Sequence, residues 1–171
     1  RSKAEGAFQT ILALAGDPML KGIEMDSIWR MVESCIIPII TYGGETWETK
    51  PKEEKAVNKI LADILKRILL LPTSTPYKVL YIETGMIDIA HTVKKNQFNM
   101  MHRIENHKNN LLEVVMNSKA NNSWKKKTES EMEKYNINPT YGDSRNIFKS
   151  DIKRKTNIAF KETVMESIES N

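Results

Sequence analysis

A chain of 171 residues, 40% apolar and 28% charged, holds enough core-forming side chains for one domain or two small helical subdomains. Its seven Gly and six Pro exclude a low-complexity or collagen-like polymer. A single cysteine, Cys35, excludes an internal disulfide and makes a reducing compartment, nucleus or cytoplasm, the expected location. The net charge of +4 admits a polyanionic partner without demanding one, and no run approaches the ~18 apolar residues of a membrane span.

Helical periodicity dominates, and an all-α bundle of about seven to eight helices with a kinked second helix is expected. The opening Arg1-Ser2-Lys3-Ala4 already lies in a helical pattern and lacks an initiator Met, as expected of a piece of a longer polypeptide with no leader. The first helix, about Ser2–Leu14, puts Ala4, Ala7, Ile11, Leu12 and Ala15 on one face. Gly16-Asp17-Pro18 ends it. Asp26 is the expected N-cap of the second helix, whose inward residues are Ile28, Met31, Val32, Cys35, Ile36 and Ile39. Pro38 removes an amide donor and crowds the carbonyl four residues back, so a kink belongs near Ser34–Pro38. Gly43-Gly44 then turns the chain, Tyr42 and Trp47 packing the corner and Glu45 capping the next helix.

The third helix, Lys52–Leu70, carries Val57, Ile60, Leu61, Ile64, Ile68 and then Leu71 at spacings of three and four. Pro72 and Pro76 bracket a Thr-Ser-Thr turn able to cap the next helix. That short helix, Tyr77–Thr84, ends on Gly85 as a left-handed cap. The fifth, Ile87–Asn106, turns Ala90, Val93, Gln97, Met100, Met101 and Ile104 inward. A loop over Asn106–Asn110 divides a first domain, 1–106, from a helical extension, 107–171. That extension holds a short helix at Leu111–Ser118 and one carrying Trp124. It ends in a helix at about Arg145–Glu169, capped by Asp143 or Ser144, with Phe148, Ile152, Phe160, Val164 and Ile168 as its stripe.

Catalytic and metal chemistry find little support. Cys35, His91, His102 and His107 lack paired ligand spacing, so each histidine reads as a surface or phosphate-facing residue and Cys35 as a small buried hydrophobe. No glycine-rich phosphate loop occurs, and no metal or cofactor is expected on this chain. Cations offer more. Residues 1–72 balance 10 Lys/Arg against 10 Asp/Glu, whereas 73–110 carry 5 against 3 and 111–171 carry 11 against 9. Lys66 and Arg67 end the third helix. His91, Lys94, Lys95, His102 and Arg103 lie mostly opposite the apolar stripe of the fifth, and Lys125-Lys126-Lys127 follows Trp124. Arg145, Lys149 and Lys153 recur every four residues on the last, with Arg154 and Lys155 beside them. The bland reading of each cluster is a solvated face with intrahelical ion pairs; the functional one is phosphate contact without base reading.

Four motifs in order give this reading a direction. They are Arg1-Ser2-Lys3-Ala4; Ile36-Ile37-Pro38-Ile39-Ile40-Thr41-Tyr42-Gly43-Gly44-Glu45-Thr46-Trp47; Leu65-Lys66-Arg67-Ile68-Leu69-Leu70-Leu71-Pro72-Thr73-Ser74-Thr75-Pro76; and Tyr81-Ile82-Glu83-Thr84-Gly85-Met86. Together, over about Arg1–Ile104, they resemble the thumb region following the palm in reverse transcriptases of LINE-type (non-LTR) retrotransposons. The resemblance implies an RNA-directed DNA polymerase whose magnesium-binding aspartates lie upstream. No Asp-Asp pair occurs in this chain, so it is expected to be non-catalytic. Its implied role is to clamp an RNA/DNA primer–template duplex beside the palm and fingers through Lys66, Arg67, Lys94, Lys95, Arg103, Arg145, Lys149 and Lys153. Pro38, Tyr42, Gly43, Glu45, Trp47 and Pro72 would be its structural motif. Two rivals stand beside it. One is a domesticated helical interaction module or homo-oligomer, which nine Met would suit. The other is a DNA reader using the last helix, although Arg145, Lys149 and Lys153 suit phosphates better than base edges.

Overall fold

The structure, a computed structural model, describes residues 3, 5–9, 24–48, 50–106, 118, 122–138 and 145–169. Every regular element among them is helical, so the fold is all-α. A helical stretch at residues 5–9 precedes α1, Met25–Met31. A π-helical turn at Val32–Ile36 joins α1 to α2, Ile37–Ile40, and a 3-10 turn spans Gly44–Thr46. Then come α3, Pro51–Ile68; α4, Tyr77–Thr84; α5, Ile89–Asn106; α6, Asn122–Lys134; and α7, Arg145–Glu169. The expected helix at 111–118, the loop 106–110 with His107, and the caps Asp143 and Ser144 lie outside the described residues, Asn106 and Ser118 excepted.

The chain divides into two compact units, one of Arg1–Tyr42 with Thr49–Ala90, the other of Gly43–Glu48 with His91–Asn171. This boundary falls inside α5 and does not coincide with the division at 106/107 drawn from sequence. A helix satisfies its own backbone wherever the packing around it changes, so a boundary within one leaves no loop to read.

In the first unit the buried side chains of the early helices are Ile28, Val32, Ile36 and Ile40, each four residues from the last. Four residues of α-helix overshoot a full turn by about 40°. The wider π turn takes this drift back, so all four keep one face. Pro38, which leaves the Ser34 carbonyl without its amide, sits just beyond that turn, where the kink was expected. The same phase corrects three expectations: Cys35 is exposed rather than buried, Ile39 is exposed, and Met31 is half-buried. Nor does Asp26 cap α1. The helix begins at Met25, behind Glu24, two residues earlier than that cap would place it, with no side-chain cap.

Helix α3 starts on a cap the sequence reading misassigned. The Glu53 carboxylate reaches back to accept the Lys50 amide at 2.8 Å, so Glu45 has no part in it. Leu61, Ile64, Leu65 and Ile68 are buried, Val57 and Ile60 are half-buried, and Leu71 is exposed. Phe8, absent from the expected inward face of the first helix, is fully buried, with the Arg67 guanidinium 4.5 Å above its ring. Ala7 of that face is half-buried; Ala4, Ile11, Leu12 and Ala15 lie outside the described residues. Past α3 the Pro72 carbonyl accepts the Thr75 amide at 3.1 Å, and Lys66 Nζ donates to the Thr73 carbonyl at 2.7 Å. No side chain from this turn caps α4. Gly85 does end α4 in the left-handed region, at φ 65°. Asn58 latches the segment beyond it, donating to Asp88 Oδ2 at 3.1 Å and accepting the Ala90 amide at 3.1 Å. Burial, then the Asp88 carboxylate, then Tyr77 hold the Tyr81 phenol far above its ordinary pKa.

The second unit is built around Phe98 and Met101 of α5, Met132 of α6 with Ile137 just beyond it, and Phe148 and Ile152 of α7, with Trp124 and Tyr135 packed against them. The expected α7 stripe holds for Phe148, Ile152, Phe160 and Val164, and Thr156 joins it by donating to the Ile152 carbonyl at 2.7 Å. The Ile168 side chain lies outside the described part.

Candidate nucleic-acid interface

Positions i, i+3, i+4 and i+7 of a helix share one face and usually form an apolar stripe. On α5 one such face carries Asn96, Asn99, Met100 and Arg103 instead. It lines a cleft of about 230 Å³, to which His102, Glu45 and Lys149 contribute the rest of the described wall. Met100, expected inside, is half-buried on this face.

Each of the other contributors is seated by a separate contact. Gly43, at φ 70°, adopts the left-handed conformation that glycine tolerates and begins the tight turn holding Glu45. The Gly43 carbonyl accepts both the Thr46 amide at 3.0 Å and its hydroxyl at 2.9 Å. Three contacts strap this turn to its unit. Gly44 lies against Val93, the Trp47 carbonyl accepts Gln97 Nε2 at 2.6 Å, and Glu48 Oε1 accepts the Ser123 hydroxyl at 2.8 Å. The corner therefore serves α5 and α6. Tyr42 does not pack it, being 85% exposed, while Trp47 is half-buried.

Lys149 arrives through an aromatic contact. Phe148, its neighbour on α7, stacks on the His102 ring with centroids 3.7 Å apart and planes 17° from parallel. His102 is 6% exposed, which corrects the surface reading. Asn106 Nδ2 donates to the His102 carbonyl and lies 2.8 Å from its Nδ1. His91 likewise packs edge-on against Phe160, 5.2 Å between centroids.

Sorting the expected cations by partner separates two groups. Lys66 and Arg67 are engaged within the first unit, Lys66 by the Thr73 carbonyl and Arg67 by Glu5 and Phe8. Lys94 pairs with Glu131 at 3.1 Å. Lys125 lies 3.3 Å from Glu105, Arg154 2.7 Å and Lys155 2.8 Å from Asp151. Burial alone would raise the Glu131 carboxyl, but hydrogen bonds from Lys134 and Lys94 outweigh it and hold the pKa below 4.5. Asp151 is lowered from 3.8 by its hydrogen bonds from Lys155 and Arg154. Arg103, Lys149 and Lys153, by contrast, form no ion pair among the described residues, and two of the three line the cleft. Arg145 opens α7; its side chain lies outside the described part.

The structure brings together Glu45, Arg103 and Lys149 from the expected residues. Sequence reasoning missed Asn96 and Asn99, although Asn96-x2-Asn99-x3-Arg103 on one helical face was a legible signal. Among the described residues no three His, Cys, Asp or Glu side chains group as metal ligands, and no helix is long and apolar enough to cross a membrane. Compared with protein-family models, curated proteins and solved structures, the chain finds no match in any of the three.

Proposed function

We propose that the second unit binds the sugar–phosphate backbone of a nucleic-acid duplex, as a non-catalytic element serving an active site on another part of its polypeptide. The observation carrying this reading is the pairing contrast. Five cations of this unit, Lys94, Lys125, Lys134, Arg154 and Lys155, are tied to carboxylates, while Arg103 and Lys149 form no ion pair among the described residues and share a cleft walled by asparagine amides. Arg is suited to forked phosphate contact and Lys to point contact, and amides supply neutral donors beside them. The resemblance of the ordered motifs to LINE-type reverse transcriptases supports an RNA–DNA hybrid as the duplex and the thumb as the role.

The test is fluorescence anisotropy of an RNA–DNA hybrid titrated with the full chain over a range of salt. Each phosphate contact removed should flatten the slope of log K against log salt by ~0.9. The double variant Arg103→Ala, Lys149→Ala should therefore lose about two such increments, with a matched loss of affinity at low salt. No measurable binding by the unaltered chain at about 50 mM salt, where such contacts are strong, would end this reading.

A second reading, self-association, rests on α7. Ile147, Ile158 and Met165 are exposed on the face away from the buried stripe, at spacings of eleven and seven that return to one side of a helix. Light scattering separates the two: a stable dimer with no hybrid affinity would favour it.

A further inference from the structure

A carboxylate beside the cations of a phosphate site needs a reason. Glu45 is half-buried, opens into the same cleft as Arg103 and Lys149, and forms a hydrogen bond or ion pair with neither. An ionised carboxylate accepts hydrogen bonds only and repels an approaching phosphate. A site for phosphate alone is better without it.

What satisfies both ends of the cleft is a ligand carrying an anion and, close by, a hydroxyl donor. Ribose beside its phosphate has that pairing. The 2′-hydroxyl is both donor and acceptor, and it is the group that distinguishes RNA from DNA at a given position. A base amino group would also satisfy the carboxylate, but two features disfavour it. The cleft, about 230 Å³, is smaller than the ~300 Å³ at which pockets for drug-sized ligands begin. It also lacks a stacking platform, since its only described ring, His102, already stacks on Phe148.

We propose that this cleft seats one ribose–phosphate unit of an RNA strand, Glu45 accepting the 2′-hydroxyl while Arg103 and Lys149 hold the adjacent phosphate. The inference rests on the backbone-binding reading and adds a preference to it. Asn96, whose side chain makes no hydrogen bond among the described residues, supplies the neutral donor between the two charged ends.

The experiment compares three duplexes of one sequence by anisotropy: an RNA–DNA hybrid, the same hybrid with 2′-fluoro substitution throughout its RNA strand, and all-DNA. Fluorine keeps the sugar pucker of RNA and removes the donor, so shape and hydrogen bonding are read separately. The unaltered chain should favour the hybrid over its 2′-fluoro counterpart by about tenfold, the scale of one hydrogen bond to a charged group. Glu45→Ala should remove that preference and bind all-DNA more tightly than the unaltered chain does, an opposite sign for the two ligands. Glu45→Gln, keeping a neutral acceptor, should retain part of the preference. Thermal melting by circular dichroism of each variant checks the fold, which a residue without internal bonds should leave unchanged. An equal shift for all three duplexes in Glu45→Ala, or no discrimination by the unaltered chain, overturns the ribose assignment and leaves backbone binding standing. Failure of the unaltered chain to bind any duplex overturns both.

Discussion

Leu70 offers a stability measurement whose sign is set by backbone geometry alone. Two helices end in the same six-residue closure, with a left-handed residue just past the C-cap. After α6 that residue is Asn136, at φ 52°, with the Ile137 amide donating to the Met132 carbonyl at 2.9 Å and the Asn136 amide to Glu133 at 2.9 Å. After α3 it is Leu70, at φ 53°, with Leu71 donating to Lys66 at 2.9 Å and Leu70 to Arg67 at 3.4 Å. Asn tolerates this conformation; a leucine pays about 1–2 kcal/mol of Cβ crowding for it. Its side chain is 71% exposed, so little burial offsets the strain. Leu70→Ala removes the side chain and keeps the crowding. Leu70→Gly removes both but loosens the unfolded chain, at a cost of ~0.5–1 kcal/mol. On balance Leu70→Gly should be more stable than Leu70→Ala by about 1 kcal/mol. The control is Ala56, exposed within α3, where Gly should be worse than Ala by about 1 kcal/mol. Urea unfolding followed by circular dichroism resolves both, since such differences move the midpoint by ~0.3–1 M at slopes of ~1–3 kcal/mol/M. Should Leu70→Ala equal or exceed Leu70→Gly, the strain argument fails.

Two further outcomes concern the second unit. A Cβ on Gly44 would stand 3.1 Å from Val93 Cγ2, so Gly44→Ala should cost about 1–3 kcal/mol. Combining it with Val93→Ala should cost clearly less than the sum of the singles in a double-mutant cycle; simple additivity would show that the two do not touch. Glu131 gives the pH dependence. Its folded carboxyl titrates below its ordinary 4.5, so the unfolded chain binds the extra proton, and its stabilisation, present above 4.5, is lost as pH falls through the folded value. Lys94→Met should therefore flatten the acid limb of a stability–pH curve below 4.5, and an unchanged limb would contradict the pairing.

How much of this was legible depends on which physical signal each feature carries. The helices α3, α4 and α5 were readable because their signals are local: the spacing of Val57 to Ile68, the Pro72–Pro76 turn and Gly85 each lie within or beside the helix they mark. The phase of the early helices was not. Whether Val32 or Cys35 faces inward depends on a π turn that shifts register, and apolar residues stand at both candidate sets of positions. Phe98 was passed over among polar neighbours, although it is fully buried. His102 was misread for a related reason. Its burial depends on Phe148, forty-six residues on, and no local pattern announces a stack between two helices. The cleft was half legible: its cations stood out singly, but Glu45 reaches it only because Gly43 turns the corner toward α5.

The same limit explains why a count of basic residues overstates what a polyanion would meet. The run from Lys149 to Lys155 reads as a dense basic cluster, Lys149, Lys153, Arg154 and Lys155 being interrupted only by Ser150, Asp151 and Ile152. On a helix, however, neighbours are three and four residues apart. Asp151 therefore leaves the adjacent Lys149 and Lys153 alone and takes Arg154 and Lys155 instead, while Glu131 takes Lys134 and Lys94. Two carboxylates thus engage four cations, and on α7 Lys149, Lys153 and Lys161 are left without an ion pair among the described residues, Lys149 sharing its cleft with the equally unpaired Arg103. Because counterion release counts only phosphates actually neutralised, the salt slope of the unaltered chain should reflect this unpaired set and not the formal excess of charge. A shallow slope with full dependence on Arg103 and Lys149 is the behaviour that distinguishes a built cleft from a diffuse basic surface.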